Sequence, residues 1–172
     1  MKDLKEIVEP LIQWFRENKR DLPWRQTKDP YAVWVSEIML QQTRVEAVKP
    51  YYIRFLQTLP TVKDLANADE EVILKLWEGL GYYSRVRNMQ KAAMQIMEDF
   101  GGVFPANQKD LLSLKGIGSY TAGAVGSIAF GLPIPAVDGN VLRVMSRITA
   151  DASDISLQIT KKKWESRLAE IM

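Results

Sequence analysis

Two carboxylates, Glu37 and Asp138, stand in surroundings that give an acid side chain chemical options. Glu37 lies within Trp34-Val35-Ser36-Glu37-Ile38-Met39-Leu40, where most neighbours are apolar. A glutamate there either faces solvent or carries a raised pKa suited to acid catalysis. Asp138, in Val137-Asp138-Gly139-Asn140-Val141, is first of all a helix N-cap or turn aspartate. Ile134, Ala136 and Val137 flank it and would bury it in part, so a chemical role stays open beside the capping one. The exclusions are sharper. The chain has no cysteine and no histidine. That removes disulfides, zinc fingers, thiolate clusters and every mechanism with a Cys or His nucleophile or base. Carboxylates, hydroxyls, lysine and backbone groups remain.

A third feature is the stretch Leu114-Lys115-Gly116-Ile117-Gly118-Ser119-Tyr120-Thr121. It reads as a short helix, a tight Gly-x-Gly turn and a second helix. Two glycines around one apolar residue permit positive φ and close backbone approach. The free N–H groups at the following helix start suit a phosphate oxygen, with Ile117 plugged into the core. An ordinary C-cap glycine followed by a new helix accounts for the same letters.

The elements that must position these groups all read as helices. Leu4, Ile7, Val8, Leu11, Ile12 and Phe15 share a face, with Pro10 expected to kink or restart the helix. Asp29-Pro30 is an N-cap and first-turn proline, followed by Tyr31, Trp34, Val35, Ile38 and Gln42 on one face. Thr43-Arg-Val-Glu46 has the form of a capping box, and Pro50 should interrupt the helix it starts. Asp69 opens a helix with Val72, Leu76 and Leu80 on one side, ended by Gly79 or Gly81. Val86, Met89, Ala93, Ile96, Met97 and Phe100 form another stripe, stopped by Gly101-Gly102. A short helix starts at Asn107, and residues 119–130 are rich enough in small residues to lie buried on most sides. Asp138 caps a helix whose inner face is Val141, Leu142, Met145 and Ile148, and a last helix from near Thr160 is expected to be still running at Met172. No strand alternation appears, so the fold class is all-α.

With 172 residues the chain can bury a real core. Its net charge of +2 is too small to announce nucleic-acid binding, so any such site must come from local clustering of Arg and Lys. No signal-peptide pattern or long apolar run is present, which reads as a soluble intracellular chain with no membrane partner.

Five stretches occur in a recognisable order: Leu22-Pro23-Trp24-Arg25, Trp34 to Thr43, Gly79-Leu80-Gly81-Tyr82-Tyr83-Ser84-Arg85, Leu114 to Thr121, and Val137 to Val141. Together they resemble the adenine DNA glycosylases of the MutY type, in the helix-hairpin-helix superfamily alongside endonuclease III. The resemblance runs from about residue 10 onward. It implies a six-helix barrel core, incomplete at the C-terminus, with the helix-hairpin-helix at 108–130. Residues 1–30 would pack with a missing C-terminal part, 31–150 would form the core, and 151–172 would start the return into a second subdomain.

The implied activity is removal of adenine mispaired with 8-oxoguanine or guanine in double-stranded DNA, by a monomer that flips the base out. By this resemblance Glu37 protonates adenine at N7, and Asp138 stabilises an oxocarbenium-like sugar, electrostatically or through a transient covalent bond. Tyr120 assists the acid pair and Asn140 supports Asp138. Tyr120 also replaces the lysine with which endonuclease III-type enzymes form a Schiff base, so a monofunctional enzyme is implied. Trp24 and Arg25 match the wall of the base pocket, and Gln42 and Tyr82 match wedge positions, with Leu80 on the same surface; Tyr83 can take the helix-end packing on the core, which leaves one of the two tyrosines free. Lys115, Gly116, Ile117, Gly118 and Ser119 of the hairpin, with Arg85 and Arg143, are the expected backbone contacts; Arg87, Lys91 and Arg147 lie nearby.

The family's further pocket helix and the four cysteines of its [4Fe-4S] cluster would follow residue 172, as would its domain that reads 8-oxoguanine. No metal or cofactor is therefore expected within these residues, and this chain alone is expected to excise weakly or not at all. An endonuclease III-like glycosylase/lyase and a non-catalytic helix-hairpin-helix module are the competing readings. Tyr120 and the Gln41-Gln42-Thr43 block argue against the first.

Overall fold

The computed structural model describes residues 4–172. After a 3-10 turn at Leu4–Ile7, ten α-helices follow in order: α1 Val8–Asn18, α2 Pro30–Met39, α3 Val45–Thr58, α4 Val62–Asn67, α5 Glu70–Trp77, α6 Ser84–Asp99, α7 Gln108–Ser113, α8 Ser119–Phe130, α9 Gly139–Thr149 and α10 Gln158–Ala169. A second 3-10 turn, Pro23–Arg25, leads into α2. Among the described residues there is no strand, and no helix is long and apolar enough to cross a membrane.

Helix α2 forms the axis of the site. The Asp29 carboxylate caps it by accepting from the Ala32 N–H at 3.0 Å, and Pro30 occupies its first position. From Tyr31 to Met39 every residue is buried except Glu37. The expected single apolar face is thus too narrow a description. A helix apolar on nearly all sides belongs in the interior, and α2 packs on both α3 and α8. Ser36 satisfies its buried hydroxyl locally by donating to Val33 O at 2.7 Å. Glu37 is the gap in an otherwise buried surface.

Helix α8 lies against α2 because its own surface is nearly bare: Thr121 through Gly126 are buried and mostly small. At Gly123 the backbone of Pro135 and Ala136 passes so closely that a β-carbon would stand 2.8 Å from the Pro135 carbonyl carbon. This close crossing brings the 134–138 segment down onto α8 and delivers Asp138 to the start of α9.

The buried apolar residues form two clusters. The larger joins α2 to α8 around Trp34, Phe55 and Trp77. The smaller joins Leu4 to Val137, Leu142, Met145 and Trp164. Glu37 belongs to a helix of the first and Asp138 caps a helix of the second, so the two acids face each other across a seam.

Several expectations are corrected. Thr43–Glu46 makes no capping box: the N-cap is Arg44 without a side-chain bond, and Thr43 donates instead to Gln41 O at 3.3 Å. The box forms at Thr61 and Asp64, with an aspartate in the N3 place, and starts α4, which the pattern did not suggest. Pro50 does not interrupt α3. The Glu46 carbonyl that loses its partner lies on an exposed face, while Val48, Tyr52 and Phe55 anchor the other side. Pro10 fits the expected restart: the 3-10 turn ends at Ile7, and Pro10 sits in the first turn of α1, where a missing N–H is tolerated. The apolar stripe of α1 is largely exposed, with Leu11 at 58%. On α5 the inner residues are Ile73, Leu76 and Trp77, with Val72 at the edge, and on α9 Ile148 is exposed. Helix α10 ends at Ala169 rather than running to Met172.

Candidate active site

Glu37 and Tyr120 stand at the boundary of two connected spaces. On one side lies a largely apolar cavity of about 530 Å³, bounded by Phe15, Trp24, Leu40, Val45 and Ile128. On the other lies a more polar cleft of about 710 Å³ bounded by Gln42, Asp138, Gly139 and Asn140. Both spaces are lined by Glu37, Leu40 and Tyr120. A molecule with a flat apolar part and a polar tail can occupy the two at once, with the Glu37 carboxyl at the junction.

Burial pushes the Glu37 carboxyl above the ordinary carboxylate range. A hydrogen bond from the Tyr120 side chain opposes this, and the nearby charge of Asp138 adds to the rise. Tyr120 is itself raised above its ordinary value, first by burial and then by the charge of Glu37, so its hydroxyl stays a donor at any working pH. Asp138 has both oxygens engaged as acceptors: Oδ1 from the Val141 N–H at 2.8 Å, and Oδ2 from Asn140 Nδ2 at 2.9 Å. The Asn140 Oδ1 in turn accepts from Arg143 Nη2 at 2.8 Å. Asp138 is thus an N-cap carboxylate that its own helix holds at the edge of the cleft, and the capping bonds leave a chemical role open beside them.

The remaining candidates divide. Trp24 is buried, its ring edge-on to Tyr52 at 5.3 Å, and it walls the apolar cavity together with Arg25. Arg25 donates to Arg20 O at 3.1 Å and covers the Phe15 ring at 5.4 Å. Gln42 and Tyr82 are exposed, and both hold positive φ, 59° and 47°. Leu80, expected on the same surface, is buried in the larger cluster. The correction at Arg85 is larger. Its guanidinium turns inward onto backbone carbonyls of 38–41 and 80–81 and is not presented to a phosphate. Arg143 faces Asn140 instead of standing free, and Arg87 pairs with Glu70 at 2.7 Å.

In the hairpin only Gly116 has a left-handed φ, 78°, with Asn88 packed where its side chain would be. Gly118 is extended at φ −98° and caps α8; open space lies where its β-carbon would stand. Ile117 is buried as expected. The Lys115 N–H donates to Gln95 Oε1 at 2.8 Å, and the Ile117 N–H to Leu114 O at 3.1 Å. Sequence reasoning missed Lys161 of α10, whose Nζ donates to Ser119 Oγ at 2.9 Å, and missed the cavity residues Phe15, Leu40, Val45 and Ile128. No spacing signal marks such contacts, because they join elements far apart in the chain.

Without cysteine the chain cannot hold an iron–sulfur cluster through thiolates, and the described residues contain no cluster of acidic side chains arranged for a metal.

A family model described as HhH-GPD superfamily base excision DNA repair protein matches residues 35–171. An adenine DNA glycosylase of Rattus norvegicus is 48% identical over 161 residues, covering 88% of this chain and 31% of that protein. One from Homo sapiens is 46% identical over 164 residues, covering 90% of this chain and 30% of its own length. The chain thus spans about three-tenths of these curated relatives. Among solved structures, a thermostable thymine-DNA glycosylase superposes with a TM-score of 0.84 at 29% identity, covering 95% of this chain and 77% of that one.

Proposed function

The chain belongs to the HhH-GPD superfamily of base excision DNA repair proteins, and from that premise we propose that it is the catalytic helical core of an adenine DNA glycosylase. The observation that carries the reading is Glu37, a carboxyl raised by burial at the mouth of an apolar cavity, opposite Asp138 across a polar cleft.

The proposed reaction breaks the bond between the sugar C1′ and adenine N9. Adenine, swung out of the duplex, enters the apolar cavity beside Trp24, while its sugar stays in the cleft. Glu37, which burial makes hold its proton more tightly than an exposed carboxyl, gives that proton to N7, so that the ring can accept the departing electron pair. Positive charge develops at C1′ and is stabilised by Asp138, through space or by a transient bond. Water then adds at C1′, and its proton passes to a carboxylate. Two acids of unlike surroundings divide the donor and stabiliser roles, as in other glycoside cleavages. With Tyr120, not a lysine, at that position of α8, no Schiff base forms and the strand stays intact. Asn140 orients Asp138, and the start of α8 after the hairpin, joined by Lys161, takes a phosphate of the double-stranded DNA.

A panel of duplexes tests this on the intact protein: adenine opposite 8-oxoguanine, adenine opposite guanine, thymine opposite guanine, and thymine glycol. The expected result is release of adenine from the first two alone, with strand breaks only after added alkali. Release of thymine or a thymine product, or breaks without alkali, would overturn the reading in favour of a thymine-directed or lyase enzyme. Duplex binding without release of any base would leave a non-catalytic module.

A further inference from the structure

Arg85 lies at the second position of α6, three residues after the exposed Tyr82, yet its side chain faces inward. Its Nη1 donates to Ile38 O at 2.8 Å and to Gln41 O at 2.6 Å, with Met39 O at 3.4 Å. Its Nη2 donates to Leu80 O at 3.0 Å and Gly81 O at 3.2 Å. These carbonyls belong to two turns remote from each other in the chain. One closes α2 and leads directly into Gln42; the other leads directly into Tyr82. The guanidinium also lies over the Trp77 ring at 5.3 Å and the Tyr82 ring at 5.7 Å, and Trp77 Nε1 donates to Gly81 O at 3.0 Å.

Gln42 and Tyr82 share a second peculiarity. Both adopt left-handed φ, which among the described residues only one other non-glycine, Ala150, does. Side-chain-bearing residues persist there only when their surroundings over-determine them. A planar fork of donors can hold two sets of carbonyls at once, whereas an ammonium group is a single point. Among the described residues no acidic side chain pairs with the cation, and its hydrogen bonds go to backbone carbonyls.

We propose that Arg85 is a positioning residue for duplex opening: it clamps the Gln42 turn to the Tyr82 turn, so that both side chains enter one base-pair gap from fixed points. The proposal rests on the glycosylase reading above and assigns Arg85 to opening the duplex, not to phosphate binding or bond cleavage.

The test is a double-mutant cycle in the intact protein, read by fluorescence of 2-aminopurine at the target position opposite 8-oxoguanine. This reports opening without requiring excision. Arg85→Lys is expected to slow the fluorescence rise about tenfold or more, while in a Gln42→Ala/Tyr82→Ala background the same change has less than about a twofold effect. Binding to a duplex with an unpaired, bulged target should stay within about twofold of wild type, since no pair need be opened. Equal losses in both backgrounds, or unimpaired opening by Arg85→Lys, overturn the clamp. If Arg85→Lys fails to melt cooperatively, hydrogen exchange on the wild-type protein decides. Residues 39–43 and 79–83 should then open as one unit with one denaturant dependence, and independent opening refutes the proposal. Opening by the wild type without adenine release would sink the proposed function and leave the clamp standing.

Discussion

Replacing Gly123 by alanine tests how the two acids are brought together. A β-carbon there would stand 2.8 Å from the Pro135 carbonyl carbon and 3.0 Å from Ala136 Cα, with the Pro135 oxygen nearer still. Ordinary contact begins at 3.4 Å, so the 135–136 backbone must retreat by at least about 0.6 Å. The obstacle is backbone on both sides, which cannot swing away as a side-chain tip can. Overpacking of this kind costs about 1–3 kcal/mol, against about 0.5–1 kcal/mol gained from alanine's better helix preference. A net loss of up to about 2.5 kcal/mol follows. Asp138, two residues beyond Ala136, moves with the displaced segment and away from Glu37. Misplacement of a catalytic group by about 1 Å can cost about 100-fold in rate, so single-turnover adenine release should fall about 10- to 100-fold. Urea denaturation gives the first quantity, and release from an adenine:8-oxoguanine duplex at saturating protein gives the second. A Gly123→Ala protein stabilised by the helix-preference increment, with unchanged release, would refute the crossing as the device that sets the distance between the acids.

Glu37→Gln should alter the pH dependence of stability. Burial raises the wild-type Glu37 pKa above the ordinary glutamate range, so its folded form holds the proton more tightly. That contribution is fully present below the unfolded pKa and is lost as pH rises through the folded one. Urea titrations from pH 4 to 8 should therefore show the variant gaining on wild type as pH rises; a constant difference would contradict it. Tyr120→Phe removes the hydrogen bond that lowers Glu37, so the high-pH limb of the excision profile should move upward; a downward shift would show that the hydroxyl acts otherwise. Thr61→Ala, which breaks the capping box of α4, should cost about 1 kcal/mol by urea denaturation and leave excision unchanged. A rate loss there would tie α4 to the site.

The helices and most of their ends were legible because caps, glycines and periodicity are local signals. Asp29-Pro30, Asn107 and Asp138 each start a helix where their chemistry says they should. Thr61-Asp64 was missed because its acid is one methylene shorter than the usual partner, while Thr43-Glu46 has the right letters but no box. Glu37 could be noticed but not resolved from its neighbours, since a helix buried on all sides and one buried on a single face share the same nearby letters. What decides its chemistry is α8 and the 134–138 segment, about a hundred residues on. Arg85 shows the same limit from the other side. An arginine beside an exposed aromatic reads as a phosphate contact, and only the assembled turns reveal that backbone carbonyls claim it first.

The central claim is that Glu37 and Asp138 break the glycosidic bond and do not merely shape a DNA-binding surface. The most direct measurement is paired: duplex affinity and single-turnover adenine release, for wild type, Glu37→Gln and Asp138→Asn of the intact protein. Both variants should bind the adenine:8-oxoguanine duplex with affinity near that of wild type and release adenine at least about 100-fold more slowly, the range of a lost general acid. Release at the wild-type rate by either variant would contradict the account.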